Sequence, residues 1–355
     1  MAIHTIGSTG DFATIQAWFD DIPATLTEQR IGRLQNQEFV FTGLSSKALT
    51  TQDRVTTPTK DIILECVPGG SFMDNANKRT NALRYNAANG AGIRSDGATI
   101  LDLFGNINHI TFRGIQIKQA AGALDSLDIV KCATNNLGTN QVFQDLIIEQ
   151  TGSDNNDCMF LTGKSRVLQC LIIHGGNNPD GFIKLSDAAI GYETLVVGCT
   201  LVRPSNLTAG GFGLYNKLAD PDNRYVAFDN IVCGAAAGQD GFQLTPGPFN
   251  GFTTDYNATN QTDVASGLPD STDAHTIYAV VYDTTLFVQP SSAGGTHDYR
   301  LVAGSTPVNA GLYDGTVNPA DITALTRQSP PEIGAWELSP PVVGGGFYSM
   351  WEEIN

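Results

Sequence analysis

The segment TFRGIQI at residues 111–117 is the first of five copies of one pattern, and this pattern decides the fold class. Each copy has an apolar pair, a polar or small residue, a turn residue and then an apolar run. The other copies are VFQDLII at 142–148, VLQCLII at 167–173, VVGCTLV at 196–202 and AFDNIVC at 227–233. Their fourth residues, on which we align them, are Gly114, Asp145, Cys170, Cys199 and Asn230.

A second segment recurs between these copies with a nearly constant spacing, as GFIKL at 181–185, GFGLY at 211–215 and GFQL at 241–244. Self-similarity with a period of roughly 20 to 50 residues is typical of stacked units that bury a core only against their neighbours. The apolar runs are short, rich in β-branched residues and separated by Gly, Asn and Asp, which favours strands over helices.

Two other repeat architectures are excluded by the pattern. A helical repeat would need two amphipathic segments with a spacing of about 3.6 residues, and a leucine-rich repeat would need its fixed Leu and Asn positions. We therefore predict an all-β fold, a single-stranded right-handed parallel β-helix with coils ~4.8 Å apart. The handedness follows from the preference of parallel crossover connections.

Residues at matching positions of the copies are expected to stack in ladders inside the coil. The alignment places Cys170 and Cys199 in one ladder, with Asp145 and Asn230 on either side. Stacked cysteines could approach disulfide distance, but buried, reduced thiols are favoured. The other cysteines are Cys66, Cys132, Cys158 and Cys233, and because no Cys-x-x-Cys pair occurs, a zinc site is not expected.

The composition limits the classes of partner. The 355-residue chain has a formal net charge of −16 with only 16% charged residues, so we expect no nucleic-acid binding, and a basic partner would complement its surface. The start of the chain has neither a basic nor an apolar signal region, and no apolar run is long enough to span a membrane. Together with the reduced thiols, this leads us to expect assembly in a reducing cytoplasm.

The chain divides into three predicted parts. Residues 1–25 form an N-terminal cap, whose amphipathic helix carries Phe12, Ile15, Trp18, Phe19 and Ile22 after Asp11 as N-cap and ends at Pro23. Residues 26–338 form the parallel β-helix. Residues 339–355 form a tail with a glycine hinge before Phe347, Tyr348 and Trp351, which dock on another subunit or fold back onto their own chain.

The first hundred residues carry a family resemblance. The string DFATIQA at 11–17 resembles the opening of many pectate-lyase-like β-helix proteins. With SFMDNAN at 71–77 and LRYN at 83–86, it is similar to β-helix proteins encoded by tailed bacteriophages. The resemblance implies a virion component rather than a secreted enzyme.

Further segments carry weaker expectations. Lys78, Arg79 and Arg84 form a rare basic cluster, which either contacts an acidic neighbour or lies solvated in a loop. The segment TLFV at 285–288 is predicted to be a strand of a later coil. The segments 298–301, 304–311 and 332–337 are similar to the closing turn of many surface β-helix proteins.

A polysaccharide-cleaving site would need two carboxylates on one face of the coil. The candidates are Asp157, Asp180 and Asp240, each just before an equivalent strand, with Asp180 and Asp240 expected ~10 Å apart over two coils. The string NNPDG at 177–181 resembles one polygalacturonase element, but the other elements of that family are missing in order. Tight turns into strands also require Asp and Gly, and we favour that interpretation.

A lyase would instead need a basic proton abstractor, for which Lys164, Arg166 and Lys184 are candidates, although no dense Asp cluster for Ca²⁺ accompanies them. Aromatic residues that could line a sugar groove are Tyr215, Tyr225 and Trp336. Neither set forms a complete catalytic constellation, so no catalytic residue, metal or cofactor is assigned.

The sequence therefore favours a non-enzymatic structural protein of a phage virion, most directly a capsid decoration or cement protein. Its expected partners are the major capsid protein or another virion protein and further copies of itself, with a trimer favoured by analogy. The alternative is a tailspike or fibre module that binds or depolymerises a host glycan, with Asp157, Asp180 and Asp240 as its acids. A secreted lyase or adhesin is disfavoured by the absence of an export signal.

Overall fold

The structure is a computed structural model that describes residues 1–42, 47–96, 99–103, 107–120, 128–132, 140–151, 157–175, 181–185, 193–203, 212–216, 224–234, 242–244, 252–260, 275–290, 296–312, 320–323, 325–327 and 331–338. Three long sheets, in which all neighbouring strands are parallel, dominate these residues. This arrangement confirms the prediction of an all-β fold built from stacked parallel strands.

Between residues 30 and 244, each circuit of the chain adds one strand to each of the three sheets in turn; one strand of these sheets precedes these circuits, and two follow them. Sheet 1 contains β1 (Ala2–Ile6), β2 (Arg30–Leu34), β5 (Ile62–Cys66), β8 (His109–Arg113), β11 (Asn140–Gln144), β14 (Lys164–Leu168), β17 (Glu193–Val197), β20 (Arg224–Phe228) and β23 (Phe252–Asp255). Sheet 2 contains β3 (Glu38–Phe41), β6 (Gly92–Ser95), β9 (Gln116–Gln119), β12 (Ile147–Gln150), β15 (Leu171–His174), β18 (Thr200–Val202), β21 (Ile231–Cys233) and β24 (Ala258–Thr259).

Sheet 3 contains β4 (Leu49–Thr50), β7 (Leu101–Leu103), β10 (Val130–Cys132), β13 (Met159–Leu161), β16 (Gly181–Leu185), β19 (Phe212–Asn216) and β22 (Phe242–Leu244). The other elements are the helix α1 (Ile15–Asp21), the 3-10 turns Phe72–Asp74 and Ala87–Asn89, and the antiparallel pair β25 (Phe287–Gln289) and β26 (Asp298–Leu301). In the described ranges, no helix has the length and apolar character needed to span a bilayer.

The register between coils departs from the sequence alignment at one step in sheet 1. Phe143 pairs with Val167, so the step from the second to the third copy is shorter by a single residue than the alignment predicted. The other steps, from Phe112 to Phe143 and from Val167 through Val196 to Ala227, are confirmed. In sheet 3 the backbone pairs Gly181 with Phe212, where the sequence alignment had placed Gly181 over the residue before it.

A turn with left-handed backbone joins sheet 1 to sheet 2 in every coil from β8 onward. The residues with positive φ at this turn are Gly114, Asp145, Gln169, Gly198, Asp229 and Tyr256, with φ between 49° and 67°. Asp145 therefore stacks with Gln169 in the turn, and Leu146 takes the position beside Cys170. The prediction that Asp145 lies in the cysteine ladder was wrong, because the alignment was one residue out at that coil.

The next position forms a buried ladder that ends in polar residues. Cys170 and Cys199 are followed by Asn230 and Asn257, all fully buried. Asn230 accepts a hydrogen bond from the Cys199 N–H at 3.0 Å and donates to the Asn257 side chain at 3.0 Å, so these amides extend the inter-coil hydrogen bonding into the core. All six cysteines are buried and none forms a disulfide, as expected.

The helix α1 packs against the start of the coil stack. Ile15, Trp18 and Phe19 are buried, as the apolar spacing predicted, but the N-cap is Thr14, whose hydroxyl accepts from the Ala17 N–H. Asp11, the predicted N-cap, instead accepts from the Thr5 N–H at 2.7 Å. Thr14 takes its place because the helix begins later in the chain than the sequence suggested, and Phe12, which was predicted to lie on the helix, instead precedes it and pairs with Ile6.

The described residues between 275 and 338 form a C-terminal strap along the outer face of sheet 2. A second hydrophobic cluster lies between the strap and sheet 2. Its members on sheet 2 are Ile147, Leu171, Ile173, Val202, Ile231, Cys233 and Ala258, and those on the strap include Phe287, Tyr299, Ile322, Ile333 and Trp336. The strand β25, predicted to belong to a later coil, instead pairs antiparallel with β26. The strap reaches coils formed much earlier in the chain, because the Leu83 N–H donates to Asp298 at 2.9 Å.

Candidate functional site

The one predicted acid that the structure describes, Asp157, lies just before β13 of sheet 3. Along this sheet alternate residues of each strand, such as Leu101, Val130 and Met159, point into the core. The residue between them points outward, and inter-coil pairing aligns Thr50, Asp102, Lys131, Phe160 and Lys184 in one outward row. The row is mainly polar and charged, so this face can engage polar groups.

Two aspartates stand next to this row, just before consecutive strands. Because Val130 pairs with Met159, Asp128 and Asp157 lie at equivalent positions of adjacent coils, ~4.8 Å apart along the stack. Burial raises the pKa of the Asp128 carboxyl to about 6, although Lys131, Lys184 and a backbone hydrogen bond at Asp157 each act to lower it. Asp128 can therefore carry a proton in mildly acidic solution, which is a property of a general acid.

Asp157 differs from Asp128 because its carboxylate forms a buried ion pair. Only 3% of Asp157 is exposed, and its Oδ2 lies 3.4 Å from the Lys184 Nζ, which is itself largely covered. A carboxylate covered in this way cannot reach the glycosidic oxygen of a polymer without a rearrangement of its surroundings. The pair Asp157–Lys184 is therefore an internal ion pair between two coils.

The other predicted acids cannot be placed, since Asp180 and Asp240 lie outside the described residues. The pairing of Met159 with Ile183 aligns Asp157 with Gly181 and not with Asp180. The spacing assumed for these three acids is thus wrong by one residue at this step. Asp128 was missed by the sequence analysis, although the strings DIVKC at 128–132 and DCMFL at 157–161 share an Asp just ahead of a strand.

The candidate bases and aromatic residues do not converge. Lys164 and Arg166 lie on β14 in sheet 1, whereas Lys184 lies on β16 in sheet 3. Tyr225 belongs to sheet 1 and Tyr215 to sheet 3. Tyr215 and Tyr225 thus belong to different sheets, and Trp336 is 4% exposed in the second hydrophobic cluster.

Trp336 has a different role, which also explains part of the basic cluster. The Arg79 guanidinium lies 3.8 Å from the centre of a Trp336 ring and donates to Asp321 Oδ2 at 2.5 Å and to Thr323 Oγ1 at 2.7 Å. The acidic neighbour of Arg79 is therefore in the strap of the same chain. This contact connects the segment before β6 to the last described residues of the strap.

The strap carries further buried charges. The Arg327 and Glu337 side chains are both fully buried, with Arg327 Nη1 3.5 Å from Glu337 Oε2 and 2.6 Å from the Glu332 carbonyl oxygen. Beside them, Asp145 at the turn between sheets 1 and 2 faces Asp321; burial and this second carboxylate raise the pKa of Asp145 to about 7. Arg113, Arg327 and a hydrogen bond from Gln144 oppose the shift.

A metal centre does not follow from these groups. Within the ranges that the structure describes, no three His, Cys, Asp or Glu side chains are arranged to hold a metal ion. The arrangement on sheet 3 can pair charges across coils and can hold a proton on Asp128. No protein-family model matches the chain, and no curated protein matches it.

Proposed function

We propose that this protein is a non-enzymatic structural protein of a tailed-phage virion, and most directly a capsid decoration or cement protein that binds the major capsid protein. The similarity of the first hundred residues to phage β-helix proteins supports the virion part of the proposal. The burial of Asp157 in an ion pair with Lys184 supports a role without catalysis.

The observation that carries the proposal is the second hydrophobic cluster under the strap. Its buried members include Ile147, Ile173, Val202 and Tyr299, which join segments far apart in the chain. A solenoid can otherwise open from an end, since each coil contacts only its neighbours. A strap bound across several coils opposes such opening, and this suits a protein held on the outside of a particle.

We also propose that the stacked sheets form a right-handed parallel β-helix whose first coil is capped by α1. Right-handed connections are the rule for parallel crossovers. The Gln16 side chain of α1 accepts from the Thr50 N–H at 2.7 Å and donates to the Thr50 carbonyl at 3.1 Å, so it pairs with the edge strand of sheet 3. A helix that occupies an edge in this way keeps a solenoid end from pairing with another chain. Side-by-side association of copies as trimers is the quaternary arrangement we propose.

Imaging tests the location directly. Phage particles assembled with and without this protein should differ by density on the head surface, and purified protein added back to heads that lack it should restore that density. Difference density on the tail, with an unchanged head, would sink the decoration role. The add-back arm also distinguishes an outer component from one that is needed for assembly.

A tailspike or fibre module that binds or cleaves host polysaccharide is the second candidate, and it is favoured by one observation. Asp128, with a pKa of about 6, lies beside Asp157 on the polar face of sheet 3. Purified protein would be incubated with diverse acidic polysaccharides, and reducing ends and unsaturated products would be measured. Cleavage that is lost in Asp128→Asn but kept in Asp21→Asn, an exposed helix position, would replace the first proposal with this one.

A further inference from the structure

The outer face of sheet 1 has an apolar patch beside the turn to sheet 2. The pairing of β14, β17 and β20 places Leu168, Leu195, Val197, Val226 and Phe228 side by side on this face, and we call them the sheet 1 patch. Their neighbours Val167, Val196 and Ala227 point into the core, so alternation directs the patch outward. Leu168, Leu195, Val226 and Phe228 are half-buried and Val197 is buried, and none of the five belongs to either hydrophobic cluster.

The sheet 1 patch differs from the outer faces of the other two sheets, where apolar side chains are covered or polar side chains predominate. Parallel sheets are usually covered on both sides, and their strands are then apolar on both sides. The strap covers the apolar part of sheet 2, and the outward row of sheet 3 is polar. Among the described residues, the sheet 1 patch therefore has the apolar composition of a covered face, although four of its five side chains are only half-buried.

The described chain ends beside this face. The Arg79 guanidinium donates to the Glu337 carbonyl oxygen, and the Glu337 N–H donates to Asp321 Oδ2 at 3.0 Å. Asp321 in turn is close enough to raise the pKa of Asp145, which is the turn residue directly after β11 of sheet 1. Residue 338 thus lies at the corner between sheets 1 and 2, a few coils from the patch.

The remaining chain is long enough to reach the patch. Residues 339–346 can extend up to ~27 Å at ~3.4 Å per residue. The corner at Asp145 and the corner at Asp229, after β20, are three coils apart, or ~14 Å. The aromatic residues that follow, Phe347, Tyr348 and Trp351, can therefore be placed over the patch without strain in the linker.

The composition of the tail fits this face. Phe347, Tyr348, Met350 and Trp351 supply large apolar side chains, and Glu352 and Glu353 follow at once. Arg166 is exposed on the same face, in the outward row between Val142 and Leu195. An acidic segment beside Arg166 is electrostatically complementary in a chain that is otherwise strongly acidic.

We propose that residues 347–351 pack on the sheet 1 patch of the same chain, with Glu352 or Glu353 beside Arg166. A short linker gives the tail an effective concentration in the millimolar range at its own patch, which favours its own chain over a neighbour at ordinary protein concentrations. The tail then covers sheet 1 as the strap covers sheet 2.

Trp351 provides the readout in the full chain. Trp18 and Trp336 are buried, so the difference spectrum between the protein and Trp351→Phe isolates the third indole. We expect this indole to emit at short wavelength and to be protected from acrylamide. In Phe228→Asp its emission should shift to longer wavelength and its quenching should increase, while Val40→Asp, on the exposed start of sheet 2, should leave both unchanged.

Two further measurements keep the proposal falsifiable if Phe228→Asp fails to fold. Arg166→Glu changes only an exposed charge and should increase quenching of Trp351, and Phe347→Ser with Trp351→Ser should increase binding of a hydrophobic dye. An indole that is solvent-exposed in the unchanged protein would overturn the proposal. A mass in solution that falls in the double serine variant would place the tail on a neighbouring copy and overturn the assignment to its own chain.

Discussion

The outer faces of sheets 2 and 3 come from the same coils but differ in the polarity of their side chains and in whether the strap covers them. On sheet 2 the outward row changes from charged to apolar along the stack, from Arg94, Lys118 and Glu149 to Ile173 and Val202. The apolar part lies under the strap. On sheet 3 the outward row keeps charged residues, including Lys131 and Lys184, as far as β16.

The difference shows that the faces of one solenoid can be stabilised by different interactions. An apolar outward row needs a covering segment, and its stability then depends on burial. A polar row remains compatible with water, and the charges that do become buried, such as Asp157, need partners in adjacent coils. Substitutions on the two faces should therefore differ both in the size and in the sign of their effects.

The largest effect is expected under the strap, at Phe287. This side chain is fully buried, and its ring makes edge contacts with Tyr282 and Tyr299, with centroids 6.0 and 5.3 Å apart. Phe287→Ala should lower the free energy of unfolding by about 4 kcal/mol and expose the strap to proteolysis. Denaturant unfolding and limited proteolysis measure both effects.

The neighbouring residue provides the control for that substitution. Val288 is 45% exposed, so Val288→Ala should change the free energy of unfolding by less than about 0.5 kcal/mol. Equal effects at the two positions would mean that the strap does not bury Phe287 in solution.

The next largest effect concerns the buried ion pair of the strap. Arg327→Met leaves the Glu337 carboxylate buried without its partner and should cost about 3 kcal/mol. The double variant Arg327→Met with Glu337→Leu should regain much of this loss, because neither charge then remains buried. A double variant no more stable than the single one would show that the hydrogen bonds of Arg327 to backbone carbonyls, rather than the charge pair, hold the strap.

The repeat pattern predicted the parallel stacking because apolar residues recur wherever side chains point inward. Phe112, Phe143, Val167 and Val196 occupy one inward ladder, and the copies in the sequence give each step of it except the one from Phe143 to Val167. The one-residue error arose at the turn between sheets 1 and 2. Positive φ occurs there at Gly114 but also at Asp145 and Gln169, so residue type alone did not identify the turn position.

The strap and the shifted pKa of Asp128 could not be predicted from the repeat pattern. The strand β25 has the same local composition as a coil strand, and only its pairing with β26 separates it from the stack. Asp128 looks like any residue that precedes a strand, and its shifted pKa depends on burial among Lys131, Lys184 and Asp157. The local sequence pattern does not show which segments lie next to each other in the fold, so properties that depend on those contacts could not be predicted from it.

A third test, of smaller size, uses the pH at the corner where the strap meets sheet 1. The folded pKa of Asp145, about 7, exceeds its ordinary value of 3.8, so its contribution to stability is present below pH 4 and is lost as the pH rises through 7. Asp145→Asn should therefore stabilise the protein at pH 8 by about 2 kcal/mol and have no such advantage at pH 4. Unfolding measured across this range would contradict the assignment if the variant and the protein kept a constant difference.

The smallest effect is expected on sheet 3, and it separates the two stacked aspartates by sign. The folded pKa of Asp128, about 6, also lies above 3.8, so Asp128→Asn should stabilise the protein by about 1 kcal/mol at pH 8, and this gain should vanish below pH 4. Asp157→Asn should destabilise the protein at pH 8 instead, since the buried ion pair between this carboxylate and Lys184 would be lost. The same sign for both substitutions would mean that the two carboxylates share one environment, and the distinction between an internal ion pair and a proton-holding acid would then fail.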